Sequence, residues 1–196
     1  MKKLTTTLAL VAAAGAAQAQ SSVNLFALVD ANLTHYSAGS KSGAGDDNVV
    51  NDGTVNGLNG SRWGIKVNED LGNGLRAGVL LESGVLVDSG ALGQGGRSFG
   101  RQGYIFLSSA DLGELRIGRQ YIFEDSVMWQ TNPFGNALTL NPGTAVTNVG
   151  KSLPFWLNAP RADNVIQLQS LSYGGFQAGV QFAPQEGALD LSLIHI

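Results

Sequence analysis

Arg62-Trp63-Gly64-Ile65-Lys66-Val67-Asn68 is the stretch on which the fold turns. Trp63, Ile65 and Val67 alternate with Arg62, Gly64, Lys66 and Asn68, and a period of two sends the two sets to opposite faces of a strand. Just beyond it, Leu75, Ala77, Val79 and Leu81 alternate with Arg76, Gly78, Leu80 and Glu82. Phe176, Ala178, Val180 and Phe182 do the same around Gln177, Gly179 and Gln181. At the other end, residues 23–34 place Val23, Leu25, Ala27, Val29, Ala31 and Leu33 on one face, although Phe26 and Leu28 blur the contrast. Residues 101–108, 114–119 and 163–173 fit strands with weaker patterns. The expectation is an all-β chain with about seven strands, long by soluble standards and suited to a tilted membrane strand.

The connections alternate as well. Asp70-Leu71-Gly72-Asn73-Gly74, Ala110-Asp111-Leu112-Gly113 and Tyr173-Gly174-Gly175 read as tight turns. Between them, residues 37–60 and 84–100 are Gly-rich, and residues 122–160 hold four of the five Pro. Connections of that length are uncommon in a compact soluble domain. Short turns at one end and long loops at the other are the layout of an antiparallel transmembrane β-barrel, in which neighbouring strands satisfy every backbone polar group. A soluble antiparallel sandwich alternates too, with its apolar residues inward. Two features favour the inverted arrangement: the smaller residue set is rich in Gly, Arg and Lys, and no helix is available to cover the apolar face.

Composition narrows the classes further. Only 14% of the 196 residues are charged, against roughly 25% in ordinary soluble domains. The absence of Cys excludes a disulfide framework, a thiolate zinc site and a cysteine nucleophile. A formal charge of -3 argues against a nucleic-acid partner, which needs a basic face. Met1-Lys2-Lys3, the apolar run at residues 8–17 and Ala17-Gln18-Ala19 make residues 1–19 an expected signal peptide. A membrane anchor would need about 20 apolar residues.

Gly60-Ser61-Arg62-Trp63-Gly64-Ile65-Lys66, Glu69-Asp70-Leu71-Gly72-Asn73-Gly74-Leu75, Leu81-Glu82-Ser83-Gly84, Gly93-Gln94-Gly95-Gly96-Arg97, Phe99-Gly100-Arg101-Gln102 and Gly118-Arg119-Gln120-Tyr121 occur in that order. In these motifs the chain resembles the general diffusion porins of Gram-negative outer membranes, in the branch typical of beta-proteobacteria. Ser21-Ser22-Val23-Asn24-Leu25-Phe26 is similar to that family's first mature strand, and the segment from Val165 through Tyr173-Gly174-Gly175-Phe176 to its sixth and seventh. The resemblance implies a sixteen-stranded barrel, a homotrimer in outer-membrane lipid, and a long third loop folded into the lumen. Seven strands cannot close such a barrel, so residues 20–190 are expected to be its N-terminal part. Leu191-Ser192-Leu193-Ile194-His195-Ile196 fits no family strand and is expected to be a non-native tail.

The implied function is a water-filled channel for passive diffusion of small hydrophilic solutes and ions, with no catalysis and no cofactor. The alternative is an outer-membrane barrel acting as adhesin or receptor through its loops. The resemblance assigns Arg62, Arg119 and Arg161 to the basic wall of a constriction, opposite Glu124 and Asp125 of the third loop. Strand parity supports Arg62 and puts Arg119 beside Ile117 on the apolar side; a bulge at Gly118 would turn it inward. Parity also assigns Lys66, Arg76, Glu82 and Arg116 to the lumen. These cations outnumber the acids beside them, so a mild anion preference is expected although the chain is acidic.

Other motifs fail for stated reasons. Gly96-Arg97-Ser98-Phe99-Gly100 spells G-x-S-x-G, but a nucleophile elbow follows a strand and opens a helix, and this one follows a Gly-rich loop and precedes a strand. His35 has no partner at metal-ligand spacing, so no metal site is expected. Trp63 suits an interfacial aromatic girdle, while Trp129 and Trp156 suit packing within the third loop.

Overall fold

The fold comes from a computed structural model that describes residues 21–36, 47–54, 57–123, 125–126, 160–184 and 194–195. The expected signal peptide, Glu124, Trp129 and Trp156 lie outside the described residues. Among the described residues there are eleven strands: β1 (Ser22–Leu28), β2 (Ala31–Tyr36), β3 (Asp47–Asp52), β4 (Arg62–Gly72), β5 (Leu75–Leu86), β6 (Ala91–Leu92), β7 (Gln102–Ser109), β8 (Gly113–Tyr121), β9 (Arg161–Gln169), β10 (Gly179–Phe182) and β11 (Ile194–His195).

One sheet runs β1-β4-β5-β7-β8-β9-β10-β11, with β6 folded back on β5, and β2 pairs only with β3. Every pairing is antiparallel, so the main sheet is a meander. Its tight turns gather at one end. Gly72, Asn73 and Gly74 all take positive φ between β4 and β5, and Gly174 and Gly175 do so in the turn closed by the Tyr173–Phe176 bridge. Positive φ through a short hairpin matches the right-handed strand twist and favours Gly and Asn. The Ala110 amide donates to the Gly74 carbonyl, which ties adjacent turns together.

The register sorts the side chains. Leu25 lies opposite Ile65, Ile65 opposite Leu81, Val79 opposite Ile105, and Ile105 opposite Ile117. Ile117 lies opposite Ile166, and Leu168 opposite Val180. Residues directly opposite one another share a face, so these form one apolar band across seven strands. That band is open: Leu25 is 74% exposed, Ile105 58% and Leu168 54%. The other face is polar and yet buries Glu82 (5%), Gln167 (4%) and Gln181 (4%). A soluble sandwich would reverse those exposures. A contiguous apolar band this large faces lipid.

On the polar face, Phe26, Leu80, Tyr104 and Phe106 make a small packed cluster. Gly64 and Gly78 are what admit the rings: a Cβ at Gly64 would lie 2.5 Å from the Phe26 ring, and one at Gly78 2.4 Å from that of Phe106. Lys66 Nζ stands 5.9 Å from the Phe106 centroid, and the Arg116 guanidinium 5.1 Å from that of Tyr104.

The structure corrects four strand limits. The opening segment is not one strand: it breaks at Val29-Asp30 into β1 and β2. The connection at residues 37–60 contains β3, which returns against β2. The sixth strand stops at Gln169 and the seventh begins at Gly179, because the two-glycine turn takes the residues between. Asp30 organises the first break. Its carboxylate accepts the amides of Leu58 (2.9 Å) and Asn59 (2.7 Å), and its carbonyl accepts the Ser61 hydroxyl and the Gly53 amide. In the expected tail, Ile194–His195 pairs with Val180 and Gln181.

Asp52, at the foot of the β2–β3 hairpin, is 1% exposed. Burial raises its carboxyl pKa, but hydrogen bonds from the Thr54 amide, the Ser61 and Thr54 hydroxyls and the Val87 amide outweigh that and hold it below its ordinary value. A pKa depressed by folding contributes stability that is complete above the unfolded pKa and is lost as pH falls through the folded one. The stability gap between wild type and Asp52→Asn is therefore expected to be full above the ordinary Asp range, about 3.9, and to shrink as pH falls below it. Urea titrations across that range would measure it, and a gap independent of pH would contradict the assignment.

Candidate functional site

The polar face carries its charge in a cluster at the loop end of the sheet. Glu82, mid-β5, lies opposite Gly64 on β4 and Gln102 on β7. Its carboxylate accepts Arg101 Nε and Gln102 Nε2 (2.7 Å), and Arg62 Nε stands 3.7 Å away. Tyr121, the last residue of β8, adds the third arginine. Its hydroxyl accepts Nη2 of both Arg101 and Arg161, and the Arg161 guanidinium lies 4.3 Å from its ring centroid. Three guanidiniums thus meet one carboxylate and one phenol. The cations outnumber the acid, and donors satisfy the carboxylate from three sides.

The root of the long connection turns onto this same face. Phe123 sits over Gly179, where a Cβ would lie 2.5 Å from its ring. Gln181 then spans the join: Nε2 donates to the Tyr121 carbonyl (3.0 Å) and to Gln167 Oε1 (2.9 Å), while Oε1 accepts the Phe123 amide (3.2 Å). The connection therefore leaves the sheet on the polar side.

A lipid-facing apolar band backed by a charged polar face is how the wall of an outer-membrane β-barrel is built. The Gram-negative porin family matches residues 6–191. The chain belongs to that family. It is an outer-membrane protein, and porins are channels rather than enzymes. An outer membrane porin protein of Bordetella pertussis is 38% identical over 93% of this chain and 48% of its own length. Outer membrane porin protein 32 of Delftia acidovorans is 36% identical over 95% of this chain and 50% of its own. The chain thus spans about half the length of these relatives. Among solved structures, an anion-selective porin from Comamonas acidovorans aligns with TM-score 0.62 and 26% identity, covering 84% of this chain and 47% of the other. The trimer form of OmpT from Vibrio cholerae shares the fold, with TM-score 0.53 at 16% identity over 83% of this chain and 41% of its own.

Among the described residues, the expected site residues of this porin separate into four groups. Arg62 and Arg161 join one cluster. Lys66, Arg76, Glu82 and Arg116 share the polar face: Lys66 lies opposite Leu80, Arg76 opposite Ser108, and Arg116 opposite Phe106. Asp125 is buried at the root of the long connection. Arg119 stands apart. The ladder does shift at Gly118, but only towards β9; on the β7 side Arg119 remains opposite Gly103, on the face of Ile105 and Ile117. A lone cation there would be costly. Arg119 avoids that by donating to the Gly100 carbonyl (2.7 Å) and to Asp163 (2.7 Å), whose carboxylate also takes Arg97 Nη1 at 2.8 Å. Trp63 and Phe99 pack edge to face nearby on this side, with centroids 6.5 Å apart.

Arg101 is the cluster residue that the sequence did not single out. The available signal was a repeated triplet, Gly100-Arg101-Gln102 and Gly118-Arg119-Gln120. The first precedes a strand and the second lies within one. That difference in position sends the two arginines to opposite sides of the wall.

Proposed function

We propose that this chain builds one wall of a water-filled channel for passive diffusion of small hydrophilic solutes and ions, with a mild anion preference, in a homotrimer. The observation that carries the reading is the arginine cluster in which Arg62 and Arg101 meet the Glu82 carboxylate and Arg161 joins Arg101 through the Tyr121 hydroxyl. Fixed charges at a narrow place sort permeating ions by sign, and here the balance is positive. Likeness to the anion-selective porin of Comamonas acidovorans supports the same sign. Glu124 and Asp125 are the proposed acids facing the cluster. Arg119, which donates to the Gly100 carbonyl and to Asp163, is left out of the proposed basic wall. Planar-bilayer recording on the porin purified from outer membranes tests the reading. Stepwise openings in triplets and an anion-side reversal potential across a salt gradient are expected; a cation-side potential would refute the preference.

A further inference from the structure

We propose that Tyr121 sets the selectivity of this channel by clamping two arginines through an uncharged oxygen. Its hydroxyl accepts Nη2 of Arg101 and of Arg161, and its ring lies under the Arg161 guanidinium. Both attractions, hydrogen bond and cation–π, hold a cation without cancelling its charge. Glu82 does cancel charge, but Arg62, Arg101 and Gln102 already share it. An acid at position 121 would hold the arginines more firmly and silence them. A residue without an acceptor would leave like charges to repel one another and swing apart. The phenol keeps the arginines together and the surface positive.

The tyrosine is itself braced. Its carbonyl accepts Gln181 Nε2, and Gln181 Oε1 also accepts the Phe123 amide, two residues further on at the start of the long connection. The clamp and the root of that connection are thereby set against β10 by one buried amide side chain.

The inference rests on the anion reading above, and the experiment separates their failures. The porin purified from outer membranes is compared with Tyr121→Phe, Tyr121→Glu and Tyr121→Gln in planar bilayers across a KCl gradient. Tyr121→Phe is expected to lower the anion-to-cation permeability ratio about two-fold and to raise open-channel noise, and Tyr121→Glu to lower the ratio further. Tyr121→Gln restores a neutral acceptor and is expected to recover most of the wild-type ratio, which a merely structural role would not produce. Wild-type ratio and noise in Tyr121→Phe would overturn the clamp. If that variant does not assemble, Tyr121→Gln behaving like Tyr121→Glu overturns it instead. A cation-selective wild type would overturn the anion reading, while unchanged noise in Tyr121→Phe would still decide against the clamp.

Discussion

Ile105→Arg is expected to cost the porin about 2–4 kcal/mol of folding stability in lipid, the price of a cation near the bilayer midplane. Ile105 is central to the apolar band, between Val79 on β5 and Ile117 on β8, and is 58% exposed. Its cross-strand neighbours, Val79 and Ile117, offer no carboxylate such as the one Asp163 gives Arg119. The matched control is Asn68→Arg, opposite Gly78 on the polar face, expected to stay within about 0.5 kcal/mol of wild type. Urea titration of porin refolded into lipid vesicles reads both. The reverse pattern, with Asn68→Arg the costly change and Ile105→Arg near neutral, would mean that the sheet is the other way out.

Glu82→Gln is expected to act on stability and on current together. The substitution leaves Arg101, itself 7% exposed, without its carboxylate. Removing one partner of a buried ion pair costs about 3–5 kcal/mol. The midpoint of urea unfolding should fall accordingly. The same change removes the one acid within the arginine cluster, so the reversal potential in a salt gradient should move further to the anion side. A loss of stability with no change in reversal potential would mean that permeating ions do not pass near Glu82.

The faces of β4 and β5 were legible because Arg62–Asn68 and Leu75–Glu82 alternate cleanly, and one strand pair fixes the sidedness of the whole meander. The hairpin of β2 and β3 was not. Asp47–Asp52 reads Asp-Asn-Val-Val-Asn-Asp, a polar, turn-rich string that becomes a strand only because β2 offers it a partner. The break at Asp30 is likewise set by distant amides at Leu58 and Asn59, which no local pattern reveals. In the site, Arg62, Lys66 and Glu82 followed from parity alone. Arg119 did not, because a bulge was anticipated at the right glycine but its effect reaches only one of the two neighbouring strands. Arg101 escaped for a related reason: the expected strand over residues 101–108 put it in phase with Ile105 on the apolar side, whereas β7 begins only at Gln102.

In the proposed channel the glycines at positions 64 and 78 would set the calibre of the passage. Phe26 and Phe106 recline against bare backbone there, so two bulky rings lie close to the sheet. A β-carbon at either position would tilt its ring towards the axis, and the ohmic resistance of the water column would climb with every ångström of bore surrendered.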